Sequence, residues 1–195
     1  MSASVEDKVA LAVPFDAGKL DHLLQERDID VLLVTSKHNL SYMLGGYRFF
    51  FFDAMDAIGT SRYLPVLVYF RGRPETTSYV ANVMEAYEKE LGRFWLHNVY
   101  TTTWTTLDAM GEVIDLIGKF CGAPRKIGIE SAFLPADAYK MLEARFGAAA
   151  IVDALVPLER LRARKSQDEL HLLREASERV VASMLAVINA HGPGT

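Results

Sequence analysis

The sequence predicts an α/β fold: a mixed β-sheet flanked by helices, followed by a long C-terminal junction helix. Three observations predict it. Short β-branched apolar runs alternate with segments of helical spacing along most of the chain. Two of the runs, 64–70 and 76–80, are joined by Arg71-Gly72-Arg73-Pro74 and read as a hairpin, which makes the sheet mixed rather than purely parallel. Finally, Leu170, Leu173, Ala176, Val180, Met184, Val187 and Ile188 recur on one helical face, with Gly192-Pro193-Gly194 as the stop.

In chain order, residues 1–14 form an N-terminal arm. A helix follows from about Asp16, with Leu20, Leu23 and Leu24 on its apolar face, and Asp28 opens a turn. The continuous apolar run 29–35 is a buried strand, and 36–44 a short helix broken by Gly45-Gly46. After the hairpin, 82–91 reads as a helix, and 94–95 and 99–103 as extended. Thr106 or Asp108 caps a helix that runs to Phe120 and is ended by Gly122-Ala123-Pro124. A strand over 126–130, a helix over 135–146 and a last strand over 149–153 complete the alternation. Ser166 with Glu169 three residues on is a capping box for the final helix. That helix is roughly 37 Å long, and its apolar face needs a partner.

The totals exclude several classes. The chain has 195 residues, 50% of them hydrophobic and 24% charged, with a formal charge of −4. That is globular composition with no electrostatic reason for nucleic acid. The densest basic run, Arg160, Arg162, Arg164 and Lys165, is a small footprint and reads first as a solvated junction. Cys121 is the single cysteine, so no internal disulfide can form. No apolar run reaches signal-peptide or membrane-span length. The expectation is a soluble cytoplasmic protein with no membrane partner.

No complete catalytic constellation is present. His22, His38, His97, His171 and His191 show no i, i+4 pairing and no HExxH frame. Ser36, Ser41 and Ser131 lack a G-x-S-x-G elbow, and the glycines frame no phosphate loop. Asp53 and Asp56 are three apart and could share a helix face, either as paired carboxylates or as a solvated loop. Phe49-Phe50-Phe51-Phe52 places four aromatics in a row. Successive strand side chains point to opposite faces, so both faces are buried in the core, or one faces a substrate cleft or a partner subunit.

Four stretches carry a family resemblance. The run from Leu158 through Arg164-Lys165-Ser166-Gln167-Asp168-Glu169-Leu170, then Leu173-Arg174 and Ala176, resembles the inter-domain junction of the creatinase/prolidase/Xaa-Pro aminopeptidase family. Gly128-Ile129-Glu130 with Leu134-Pro135 and Tyr139 resembles its "GIE…LP…Y" segment. The strand from Ile29 followed by Asn39, Tyr42, Gly45 and Gly46 resembles its "N-x-x-Y-x-x-G" turn. Gly192-Pro193-Gly194-Thr195 resembles the turn that opens the catalytic domain.

The resemblance implies an arm over 1–14, an N-terminal α/β domain over 15–157, and a junction with the first helix of an absent catalytic domain over 158–195. It implies a non-catalytic domain of a pita-bread hydrolase, an Xaa-Pro dipeptidase or aminopeptidase, serving dimerisation and access to the cleft. The near alternatives are a creatinase-like amidinohydrolase or other non-peptide hydrolase, and a free-standing binding or dimerisation module. The family's metal ligands fall after Thr195, so no cofactor is expected in this chain, and a divalent metal (Mn, Co or Zn) is expected for a peptidase parent. The implied partners are the chain's own C-terminal catalytic domain and a second copy in a homodimer. The segment after the "N-x-x-Y-x-x-G" turn approaches an active site in relatives, which makes Arg48, Phe51, Asp53, Asp56 and Arg62 the cleft or partner-subunit candidates. This chain alone is predicted to be inactive.

Overall fold

Burial on both faces of β1 (Val31–Val34) organises the protein. Leu32 and Val34 point into one apolar cluster, Val31 and Leu33 into another, as the two-residue strand period requires. A strand apolar on both faces needs a helical layer on each side, and the fold supplies them. A computed structural model describes residues 13–50 and 63–191.

The first layer holds α1 (Ala17–Gln25) and α2 (Lys37–Met43). Asp16 caps α1 by accepting the Lys19 amide at 2.8 Å, and Leu20, Leu23 and Leu24 are its buried face. The chain leaves α1 through Asp28, whose φ is +57°, a conformation aspartate tolerates better than most residues. The hairpin is present: β2 (Val66–Phe70) and β3 (Ser78–Asn82) pair antiparallel, with a single 3₁₀ turn, Pro74–Thr76, in the connection.

Residues 82–91, read from the sequence as one helix, divide into a 3₁₀ turn, Val83–Glu85, and α3 (Ala86–Glu90). Asn82 caps the turn and Glu85 swings inward, so the local hydrogen bonding ends before a continuous helix is established. Phe94 packs in the core without joining a strand. β4 (Asn98–Thr103) then pairs parallel to β3.

α4 (Thr106–Phe120) starts at Thr105, one residue before the nearer expected cap, with Asp108 completing a capping box. β5 (Ile127–Ile129), α5 (Ala136–Phe146) and β6 (Ile151–Asp153) follow. The six strands run in the order β4-β3-β2-β1-β5-β6. β1 is antiparallel to β2 and parallel to β5, and β5 is parallel to β6. The mixed sheet with flanking helices is therefore as predicted. α4 and α5 pack through Met110, Val113, Ile117, Ala138 and Leu142 on the second face.

A further helix, α6 (Leu155–Ala163), runs into the junction, whose arginines stay at least partly exposed as expected. Pro157 lies in its first turn, where its missing N–H costs nothing. Leu158 and Leu161 bury beside α1 in the first cluster, and Arg160 pairs with Glu26.

The chain divides into two units, Met1–Leu161 and Arg162–Thr195. The second carries α7 (Gln167–Ala190), a 24-residue helix. Its capping box is formed: the Glu169 amide donates to Ser166 Oγ at 3.1 Å, and the Ser166 amide donates to Glu169 Oε2 at 2.8 Å. None of its residues is buried, and Val180, Met184, Val187 and Ile188 are exposed apolar side chains. No described helix is long and apolar enough to cross a membrane.

Candidate functional site

The site region begins at the turn from β1 into α2. Ser36 caps α2, but the turn is held from across the sheet by Glu130, which follows β5. Glu130 Oε2 accepts the amides of Thr35 at 2.6 Å and Ser36 at 2.8 Å, and Oε1 accepts the Asn39 side-chain amide at 2.6 Å. A carboxylate at a helix N-terminus satisfies amides that the helix itself leaves unpaired. The Thr35 hydroxyl beside it is buried and has no partner among the described residues.

α2 ends in a Schellman motif. The Gly46 amide donates to Ser41 O at 2.8 Å and the Gly45 amide to Tyr42 O at 3.2 Å. The motif needs a left-handed residue after the cap, and Gly45 supplies it with φ of +71°. The Trp95 indole takes the Met43 carbonyl at 2.9 Å. The chain is thereby aimed into residues 47–50.

There it meets a second buried carboxylate. Glu85 Oε2 accepts the hydroxyls of Tyr47 at 2.8 Å and Tyr79 at 2.9 Å. Glu85 Oε1 accepts the Tyr63 hydroxyl at 2.6 Å and the Asn82 amide at 3.0 Å. Burial pushes the Glu85 carboxyl above its ordinary value, and the four donors pull against it without cancelling it. Burial first, and then the Glu85 charge, push the Tyr47 and Tyr63 phenols well above theirs. The phenols stay protonated as donors, so the cluster anchors and does not abstract protons.

Outside this cluster lies a cleft of about 470 Å³ lined by Tyr47, Arg48, Phe49, Phe50, Glu88 and Arg93. Glu88 faces Arg93 at 3.7 Å. The described lining thus combines two guanidinium groups and one carboxylate with three aromatic rings. Phe49 is buried and stacks on Tyr63 at 6.3 Å, whereas Phe50 is 60% exposed. The aromatic run thus presents one ring to the core and the next to the outside. Of the five site candidates, Arg48 lines the cleft; Phe51, Asp53, Asp56 and Arg62 lie outside the described residues.

Neither Glu85 nor Glu130 stands out in the sequence as a charged centre. Asn82 followed by Glu85 is a legible capping spacing, but the convergence of three tyrosines on it depends on the tertiary fold. Among the described residues, no three His, Cys, Asp or Glu side chains come together to hold a metal ion. The geometry is that of a surface cleft near two buried, multiply hydrogen-bonded carboxylates, Glu85 and Glu130.

The sequence matches the creatinase/prolidase N-terminal domain over residues 17–164. The chain belongs to this family. Solved structures agree in fold. An Xaa-Pro dipeptidase from Bacillus anthracis aligns with a TM-score of 0.65 at 18% identity, over 92% of this chain and 44% of its own. A prolidase from Thermococcus sibiricus aligns at 0.68 and 19%, over 95% and 46%. The N-terminal domain of an Xaa-Pro dipeptidase from Lactobacillus brevis aligns at 0.53 and 17%, over 73% and 98%. No curated protein matches the chain. This creatinase/prolidase domain spans less than half the length of the two longer enzymes.

The family's "N-x-x-Y-x-x-G" and "GIE" stretches acquire physical reasons here. Asn39 and Glu130 bind one another, Tyr42 packs against the first core cluster, and Gly45 turns the chain. Gly128 is where β5 passes closest to its neighbours: an added Cβ would lie 3.0 Å from the Ala154 Cβ.

Proposed function

We propose that this chain is the non-catalytic N-terminal domain of an Xaa-Pro dipeptidase or aminopeptidase, and that it contributes to dimerisation and to access to the catalytic cleft. The observation that carries this reading is the coverage: 92–95% of the chain fits structures named dipeptidase and prolidase, yet it fills less than half of them. The exposed apolar residues of α7 seat the catalytic domain. A divalent metal (Mn, Co or Zn) is expected in that catalytic domain if the parent is a peptidase. The arginine- and aromatic-lined cleft at Arg48 serves as the face turned toward substrate or a neighbouring subunit. The protein is expected to be cytoplasmic.

The test has two arms. The 195-residue chain, given Mn²⁺ or Co²⁺, should show neither stoichiometric metal nor hydrolysis of an Xaa-Pro dipeptide; turnover would overturn the reading. In a longer protein that contains this chain, Arg48→Ala should raise KM about ten-fold or more with kcat largely kept, the pattern of a lost binding contact. Unchanged kinetics would remove Arg48 from substrate binding.

A further inference from the structure

We propose that the outer edge of β4 is where a second copy of this chain pairs, antiparallel about a two-fold axis, joining two six-stranded sheets into one. The inference deepens the dimer proposed above by assigning its surface.

The two ends of the sheet are built differently. β6, at one edge, has three residues, and its Asp153 carboxylate is turned onto the amides of Leu155 and Ser131. Short length and a charge are the usual guards of a sheet edge. β4, at the other edge, has six residues, Asn98-Val99-Tyr100-Thr101-Thr102-Thr103. It contains no charged residue and no proline. Among the described residues no further strand pairs with it. Val99 O is taken by the Lys89 ammonium at 2.6 Å, which leaves the Tyr100–Thr103 half as the pairing surface. Threonines across from threonines are favourable cross-strand neighbours.

An apolar ledge borders that edge. Met84, Tyr87 and Leu91 are exposed at helical spacing before β4, and Trp104 and Leu107 are exposed after it. Asn82 joins the two sides: its Oδ1 accepts the Met84 amide at 3.0 Å and its Nδ2 donates to Trp104 O at 3.5 Å. Five such side chains amount to roughly 600 Å² of exposed surface, the upper end for a monomer. With the strand edge added, the area reaches the ~800 Å² per partner of a stable interface.

The occupant that fits is a second copy. An antiparallel β4–β4 pair is self-complementary, so the two-fold axis that pairs the strands also sets ledge against ledge and closes the assembly.

Sedimentation equilibrium of the 195-residue chain tests this. The expected result is a dimer whose dissociation constant rises about ten-fold or more in Thr102→Lys with Trp104→Lys, since like charges placed opposite one another across paired strands repel. The thermal midpoint of the dissociated variant should stay near that of the wild-type monomer. If the double variant fails to fold, Thr102→Lys alone carries the test. In a Cys121→Ser background, a single cysteine placed in turn at positions 101, 102 and 103 should give an inter-chain disulfide at one of them. A dimer indifferent to these changes and lost in Val180→Glu with Ile188→Glu overturns the β4 assignment while leaving dimerisation intact. A chain monomeric at every concentration, binding only an added peptide strand at β4, overturns both.

Discussion

The Asn39 side-chain amide donates to Glu130 Oε1 at 2.6 Å, across 91 residues of sequence. With the two amides on Oε2, this contact binds the start of α2 to the end of β5. Glu130→Gln keeps the shape but removes the charge that strengthens each bond, and places a donor against donors. The expected loss is about 2–3 kcal/mol in urea unfolding. Asn39→Ala should cost less, about 1–2 kcal/mol, because both backbone amides keep their acceptor.

Gly128→Ala tests the close approach of β5. The new methyl would meet Ala154 Cβ at 3.0 Å and Ile29 Cγ2 at 3.1 Å, an overpacking cost of about 1–3 kcal/mol. Adding Ala154→Gly should return part of that loss. Thermal unfolding of the two single variants and the double variant separates the steric contact from the conformational cost of glycine.

Glu85 predicts a pH dependence of definite sign. Its carboxyl is raised, chiefly by burial, so its contribution to stability is complete below the ordinary carboxylate value and declines as pH rises through the raised one. The advantage of wild type over Glu85→Gln in urea should therefore be largest near about pH 4 and shrink toward about pH 8. An advantage that grows with pH would mean that the four donors outweigh burial.

Asp30 predicts the opposite limb. Burial raises its carboxyl, but hydrogen bonds from the Arg125 side chain and amide, with the charges of Arg125 and Arg71, bring it below its ordinary value. Its contribution is present above the ordinary carboxylate range and is lost as pH falls through the lowered value. Arg125→Ala should lower the thermal midpoint near neutrality and match wild type in strong acid. Because Arg125 is well exposed, added salt should shrink the neutral difference.

Elements whose determinants are local were legible in the sequence. Ser166 and Glu169 name the start of α7 by themselves, and the apolar run 29–35 declares a strand buried on both faces. α6 was not, because Pro157 and the arginines after it look like a linker. What makes it a helix is burial of Leu158 and Leu161 against α1, from the far end of the domain. The same holds at the site. The Tyr47–Glu85 and Tyr63–Glu85 bonds join residues 38 and 22 positions apart, and no spacing rule marks them. Arg48 was reachable only through its place after the "N-x-x-Y-x-x-G" turn.

The strand order has a consequence for synthesis. β1 pairs with β2 on one side, a neighbour in sequence, and with β5 on the other. As the chain leaves a ribosome, β1, β2, β3 and β4 can assemble while the second edge of β1 still waits for Ile127. At ~5–20 residues per second the interval from the end of the hairpin to Ile127 lasts on the order of 2–9 s. For that time a fully apolar strand edge is open to other chains. The nascent protein should therefore be most prone to aggregation, and most dependent on chaperones, in the window between completion of the hairpin and emergence of β5.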